Sequence, residues 1–183
     1  MTRIIVFTGG ARSGKSARAE QYAQLQGHSV VYVATAEAGD AEMHQRITLH
    51  RERRPAHWQT LEAPRHVSVA LRQLNTGTTV LLDCLTLLVS NILLAHKDNP
   101  EPYVDEEVAE LIAAAYEYDL TLIVVTNEVG MGLVPEYLLG RQYRDLLGRA
   151  AQRIAVNADE VYLVVAGIPV ELRELAAPWS KKE

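Results

Sequence analysis

Residues 9–16 read Gly-Gly-Ala-Arg-Ser-Gly-Lys-Ser, and they follow the apolar, β-branched run Ile4–Thr8 directly. Ala17–Gln26 comes next, rich in Ala, Gln and Glu and stopped by Gly27, so it reads as a helix. A strand, a glycine-rich turn and a helix in immediate succession leave few folds open. The turn fits Gly-x-x-x-x-Gly-Lys-Ser, the Walker A pattern, without a mismatch. Its glycines let backbone N–H groups curl around phosphate oxygens, and the helix behind offers its N-terminal donors and positive dipole end. The residues Gly9, Gly10, Ala11, Arg12, Ser13, Gly14, Lys15 and Ser16 are therefore expected to hold a nucleotide. Lys15 should reach the β- and γ-phosphates, and the Ser16 hydroxyl should bind Mg²⁺.

The rest of the chain repeats the alternation. Apolar runs occur at Val30–Thr35, Thr79–Leu82, Leu120–Thr126 and Val161–Ala166, with a shorter one at Trp58–Leu61. Helical composition lies between them, at Asp40–Arg53, Arg65–Leu74, Thr86–Ala95, Asp105–Tyr118 and Arg141–Asn157. His96–Tyr103, with two prolines, is expected to be an exposed loop, and Gly130–Gly140 to be irregular. The runs are nearly continuous in Val, Ile and Leu, as strands covered on both faces are. The expected fold is α/β, a three-layer sandwich like that of the P-loop NTPases, with a mostly parallel central sheet. The 183 residues suit one catalytic domain spanning 1–183. Disorder is expected only in the tail Ser180–Glu183.

Composition excludes some partners. The net charge of −5 gives the molecule no overall attraction for nucleic acid or an anionic membrane. No apolar stretch is long enough to insert into a membrane, and the N-terminus lacks the layout of a signal peptide. Cys84 is the only cysteine, which rules out an intrachain disulfide and a cysteine-based metal site, and suits a cytoplasmic location.

A phosphate loop needs an acid on the metal side, at the end of a neighbouring strand. Asp83, directly after Thr79–Leu82, is the candidate; the alternative is a strand-end Asp that caps the next helix. A second cluster is basic. Arg46, His50 and Arg54 are four residues apart and share a face if the segment is helical, with Arg51 and Arg53 at its edges. Two readings fit that spacing, a solvated basic face and a phosphate-handling device. In the second, cations disfavour the charged imidazole, so His50 stays neutral and nucleophilic. His28 falls in a turn and His96 in the expected exposed loop, His44, His57 and His66 lack comparable cationic company at helical spacing, and no His/Glu set has zinc spacing.

Both sites together resemble the bifunctional adenosylcobinamide kinase/adenosylcobinamide-phosphate guanylyltransferases of cobalamin biosynthesis. The markers run from Thr8–Ser16 through Tyr32-Val-Ala-Thr35, Glu42-Met43, Arg46-Ile47 and His50 to Arg54-Pro-Ala-His-Trp58, Thr60, Glu62 and Asp83-Cys84. Thr126-Asn-Glu-Val-Gly-Met-Gly-Leu-Val-Pro-Glu136 is the most distinctive stretch, followed by Arg144-Asp145, Gly148-Arg149 and Ala158-Asp-Glu-Val161.

The resemblance implies a guanylylated histidine at His50. It also implies GTP contacts at Ala34, Thr35, Ala36, Arg51, Glu52, Arg53, Arg54, Glu62 and Asp83. Lys15 and His50 would be the catalytic residues, with Mg²⁺ on Ser16 and Asp83. The substrates it implies are GTP, ATP, adenosylcobinamide and adenosylcobinamide phosphate, handled by a homotrimer. Glu62 would read the guanine or the ribose. Asn127–Glu136 would be either a wall beside the corrinoid or a turn that packs subunits. Two other functions compete. A simple small-molecule kinase needs the phosphate loop and nothing from His50. A GTP-dependent switch would carry an Asn-Lys-x-Asp guanine-reading motif, but here Asn127 is followed by Glu128.

Overall fold

A computed structural model describes residues 1–27, 29–37 and 54–180. The sequence alternation becomes seven strands, β1 (Arg3–Thr8), β2 (Val30–Ala34), β3 (Gln59–Glu62), β4 (Thr79–Asp83), β5 (Thr121–Val125), β6 (Glu160–Val165) and β7 (Ile168–Glu171). They form one sheet in the order β3-β2-β4-β5-β1-β6-β7. Every pairing is parallel except β6 with β7. The described helices are α1 (Lys15–Gln26), α2 (Val67–Leu71), α3 (Leu85–Ala95), α4 (Glu101–Glu117), α5 (Leu138–Asn157) and α6 (Leu172–Leu175).

Alternate residues of each inner strand feed two separate cores. In β1, Ile4 and Val6 enter the core shared with α2 to α5, while Ile5 and Phe7 enter the core built on Ala19 and Ala23 of α1. Both faces of the sheet are thus dry, which is why the inner strands carry no polar alternation. The result is the expected three-layer α/β sandwich with the architecture of a P-loop NTPase.

Three expectations change. Glu101 and Pro102, read as loop, open α4, with Pro100 as its N-cap. Proline suits the first turn of a helix, where the missing N–H has no partner in any case. The segment read as helix over Arg65–Leu74 shortens to α2, since His66 is left-handed (φ 55°) and fixes the start. β7 was not expected. Ala166 and Gly167, at φ 50° and 79°, turn the chain back on β6 as a two-residue hairpin. Pro169 sits in this outermost strand, where a missing ladder donor is tolerated. The segment Asp40–Arg53, read as helix, lies outside the described residues.

Among the described residues, no helix is long and apolar enough to cross a membrane.

Candidate active site

β1 ends at Thr8, and the loop behind it turns into α1 at Lys15, with Gly14 left-handed at φ 94° as the N-cap. No side chain caps α1 and no acid lies in its first turn, so its leading N–H groups stay open to an anion. The loop is held from outside. Glu128 N–H donates to the Gly9 carbonyl at 3.0 Å, and Gly167 N–H to the Ser13 carbonyl at 2.7 Å. Gly9 is indispensable to this packing, because a Cβ there would lie 2.4 Å from the Val164 carbonyl oxygen. Gly10, Ala11 and Arg12 are exposed at the rim, and Gly14 and Ser16 are half-buried. The Ser13 hydroxyl is buried without a hydrogen-bond partner.

Lys15 is buried, and its ammonium donates to the Gly10 carbonyl at 3.2 Å. Burial lowers its pKa below the ordinary lysine value, while the Cys84 thiol and the Asp83 carboxylate, close enough to be felt, act the other way. Burial pushes the Cys84 thiol up to about 11, helped by the Asp83 charge. Cys84 is therefore a neutral thiol at pH 7 and no nucleophile.

The sheet register collects the distant candidates. Phe7 pairs with Val125, Val125 with Asp83, Asp83 with Ala34, and Ala34 with Glu62. These five residues form one row across the carboxyl ends of the strands, where ligands of open α/β sheets bind. Since β5 lies between β1 and β4, the row places Asp83 two strand spacings from Phe7, about 10 Å. Glu62 is four spacings away, about 19 Å, so the register holds it well apart from the phosphate loop.

Asp83 does not cap the helix that follows it. The N-cap of α3 is Cys84, without a side-chain bond, and Asp83 Oδ2 instead accepts from the Tyr32 hydroxyl at 2.6 Å. The Arg54 guanidinium lies over the Tyr32 ring, 3.4 Å from its centroid. Arg54, Tyr32 and Asp83 thus form one stack leading toward Lys15. A hydroxyl at Ser16 and a carboxylate at Asp83 are hard oxygen donors, and with phosphate oxygens they suit Mg²⁺, which needs only one or two protein ligands. Among the described residues there is no cluster of three or more His, Cys, Asp or Glu that could hold a metal by itself.

Ala34 and Thr35 close the end of β2. Thr35 is fully buried, and its hydroxyl both donates to the Cys84 carbonyl and accepts from the Cys84 N–H, each at 2.8 Å. The Asn91 amide then bridges the carbonyls of Thr35 and Pro64, at 2.8 and 2.9 Å. The Thr35 side chain is therefore committed to holding β2 against β4, and its neighbour Ala36 is the half-buried residue beyond it. Thr35→Val keeps the shape but leaves the Cys84 N–H without its partner, while the Cys84 carbonyl keeps its bond from the Leu88 N–H, so a loss of about 1–3 kcal/mol is expected. A urea midpoint equal to the wild type's would contradict this role.

His50, Arg51, Glu52 and Arg53 lie outside the described residues. Tyr32 and Asn91 are the contributors that sequence reasoning did not place in the site. Tyr32 had a signal, a polar-tipped ring in a strand that is otherwise aliphatic, and Asn91 had one as an amide inside the apolar helix α3.

A family model described as cobinamide kinase/cobinamide phosphate guanyltransferase matches residues 5–172. The chain belongs to that family. Its members include the bifunctional adenosylcobalamin biosynthesis protein CobU of Salmonella typhimurium, 44% identical over 93% of this chain and 99% of that protein. CobP of Pseudomonas aeruginosa, with the same description, is 46% identical over 92% of this chain and 96% of its own length. CobU of Escherichia coli is 42% identical over 93% and 99%. Membership in the cobinamide kinase/guanyltransferase family makes the chain an enzyme and gives the phosphate loop its reaction class, transfer of phosphorus-centred groups. Among solved structures, the RadB recombinase aligns at a TM-score of 0.47 and 14% identity, over 88% of this chain and 73% of that one.

Proposed function

We propose that the chain runs two reactions of adenosylcobalamin biosynthesis in sequence. First, it moves the γ-phosphoryl group of ATP or GTP to the aminopropanol hydroxyl of adenosylcobinamide. Second, it transfers GMP from GTP to the resulting adenosylcobinamide phosphate, giving adenosylcobinamide-GDP. The observation that carries the reading is the buried Lys15 within reach of the Asp83 charge, inside a phosphate loop of a family with this description.

In the first reaction the substrate hydroxyl oxygen bonds to the γ-phosphorus, the β–γ bridging bond breaks, and the hydroxyl proton leaves to solvent. Such a transfer depends on positioning and electrostatics more than on covalent help from the protein. Lys15 offsets charge on the transferring group, and the loop N–H groups orient it. Mg²⁺, held by Ser16, Asp83 and the phosphates, would supply further charge neutralisation.

In the second reaction a neutral His50 attacks the α-phosphorus of GTP, the α–β bond breaks, and pyrophosphate leaves. The phosphate oxygen of adenosylcobinamide phosphate then attacks the same phosphorus, the P–N bond breaks, and His50 is regenerated. Arg51, Arg53 and Arg54 would hold the phosphates, and Glu62 would accept the guanine N1 and N2 hydrogens or contact the ribose. Arg54, four residues after His50 in sequence, sits on Tyr32 beside the acid, which supports a basic segment that serves the nucleotide rather than bulk solvent.

The test uses GTP labelled at the α-phosphorus. The wild type, quenched during turnover, should carry acid-labile, base-stable covalent label. A protein that never labels, under conditions where it turns over, would sink the guanylyl-histidine.

We further place the enzyme in the cytoplasm as a homotrimer. Apolar side chains stand open in two places. Met131 and Leu133 are 84% and 96% exposed in the segment between β5 and α5, and Ile168 of β7 and Trp179 near the C-terminus are 66% and 89% exposed. Apolar surface gathered this way marks association sites. Light scattering should return three chain masses, and a single chain mass at working concentration would refute the trimer.

A further inference from the structure

Tyr32 occupies the middle of β2, and its ring, 2% exposed, belongs to the core beneath α1. A phenylalanine would fill that space equally well, so the packing does not account for the hydroxyl. A buried tyrosine oxygen needs a partner, and the register supplies one. Tyr32 pairs with Leu81, so its long side chain reaches two residues further along β4, to Asp83. The 2.6 Å contact is the short length of a bond to an ionised acceptor. An ionised carboxylate oxygen only accepts, so the Tyr32 hydroxyl is the donor of this bond. The opposite constraint comes from Arg54, whose guanidinium covers the ring face. Among the described residues, Asp83 Oδ1 has no hydrogen-bond partner.

We propose that Tyr32 is a positioning residue for the metal-side acid: its hydroxyl pins Asp83 Oδ2, which fixes the carboxylate and presents Oδ1 toward the phosphate loop and its Mg²⁺-bound nucleotide. This rests on the reading of Asp83 as that acid. An aspartate has two rotatable bonds, and an unpinned carboxylate at a strand end would swing between the metal, Lys15 and water. Outer partners of metal-ligating groups work by removing that freedom, and their loss costs about 10–100-fold in metal affinity.

The experiment measures binding of a fluorescent, non-hydrolysable GTP analogue, once with Mg²⁺ and once with a chelator. The ratio of the two affinities isolates the metal-dependent gain. Tyr32→Phe keeps the ring and the Arg54 stack and removes only the hydroxyl. Its metal-dependent gain should fall about tenfold, with affinity in chelator within about twofold of wild type. Tyr32→Leu removes the Arg54 stack as well, so its metal-dependent gain should fall alike while its affinity in chelator also falls. An unaltered gain overturns the proposal, and so does a lowered melting temperature without a change in the gain, since the hydroxyl would then serve the core alone. Asp83→Asn separates the two levels. If it loses the gain while Tyr32→Phe keeps it, only the Tyr32 role falls. If it too keeps the gain, the metal-side reading of Asp83 falls and takes the Tyr32 role with it.

Discussion

His50→Ala is expected to take up no label from GTP carrying a radioactive α-phosphorus, while γ-phosphoryl transfer to adenosylcobinamide continues. The reason is chemical. A covalent nucleotidyl intermediate needs a nucleophile that is neutral at working pH, and cations near an imidazole disfavour its protonated form. In sequence, Arg46, Arg51, Arg53 and Arg54 surround His50 as no other histidine here is surrounded. Cys84 is removed from competition by burial, which holds its thiol protonated. The effect should be all or none, because the substitution deletes the attacking atom. Quenched gels of wild type and variant, at equal protein, read the result. Label surviving in His50→Ala would place the intermediate on another residue. Loss of kinase turnover in the same variant would mean that the two chemistries are not separable in this way.

Lys15→Ala should lower the rate of phosphoryl transfer by about 10²–10³-fold, the usual cost of deleting one preorganised charge donor at a reacting group. It should do so without harm to the fold. Lys15 is buried and its desolvation is the larger influence on it, so a buried cation is being removed rather than a packed anchor. The melting temperature of the variant is expected to equal or exceed the wild type's. Unaltered kinase turnover would contradict the phosphate-loop assignment. A collapsed melting temperature would show that Lys15 holds the loop together as well. The same variant also reports on GTP in the second reaction. A triphosphate seated in this loop for both chemistries would lose α-label along with kinase turnover, whereas separate seats would leave the label intact.

What could be read from the sequence was what local spacing decides. Gly9–Ser16 lies within eight residues, and its geometry follows from glycine positions and the helix behind them. Asp83 was legible because it ends an apolar run. The contacts that turn these pieces into a site are non-local. Tyr32 meets Asp83 only because β2 and β4 pair with Val30 opposite Thr79, and no pattern within either strand announces that register. Thr35 was expected at the nucleotide through resemblance, and its hydroxyl turns out to be engaged with Cys84 across the strand gap. Two of the three differences involve proline. Proline reads as a breaker, yet Pro100 and Pro102 start a helix, and Pro169 lies in an edge strand that tolerates it.

The single row through Glu62, Ala34, Asp83, Val125 and Phe7 has a bearing on how variants of this enzyme should be screened. Side chains alternate between the two faces of a strand, so a slip of one residue in β4 would turn Asp83 from the α1 side to the opposite layer. Such a slip could keep apolar contacts, because Val80 and Leu82 line one face of β4 and Leu81 the other. A library sorted by yield, solubility or heat resistance would pass these molecules as sound. Only a readout that depends on where the carboxylate points would reject them.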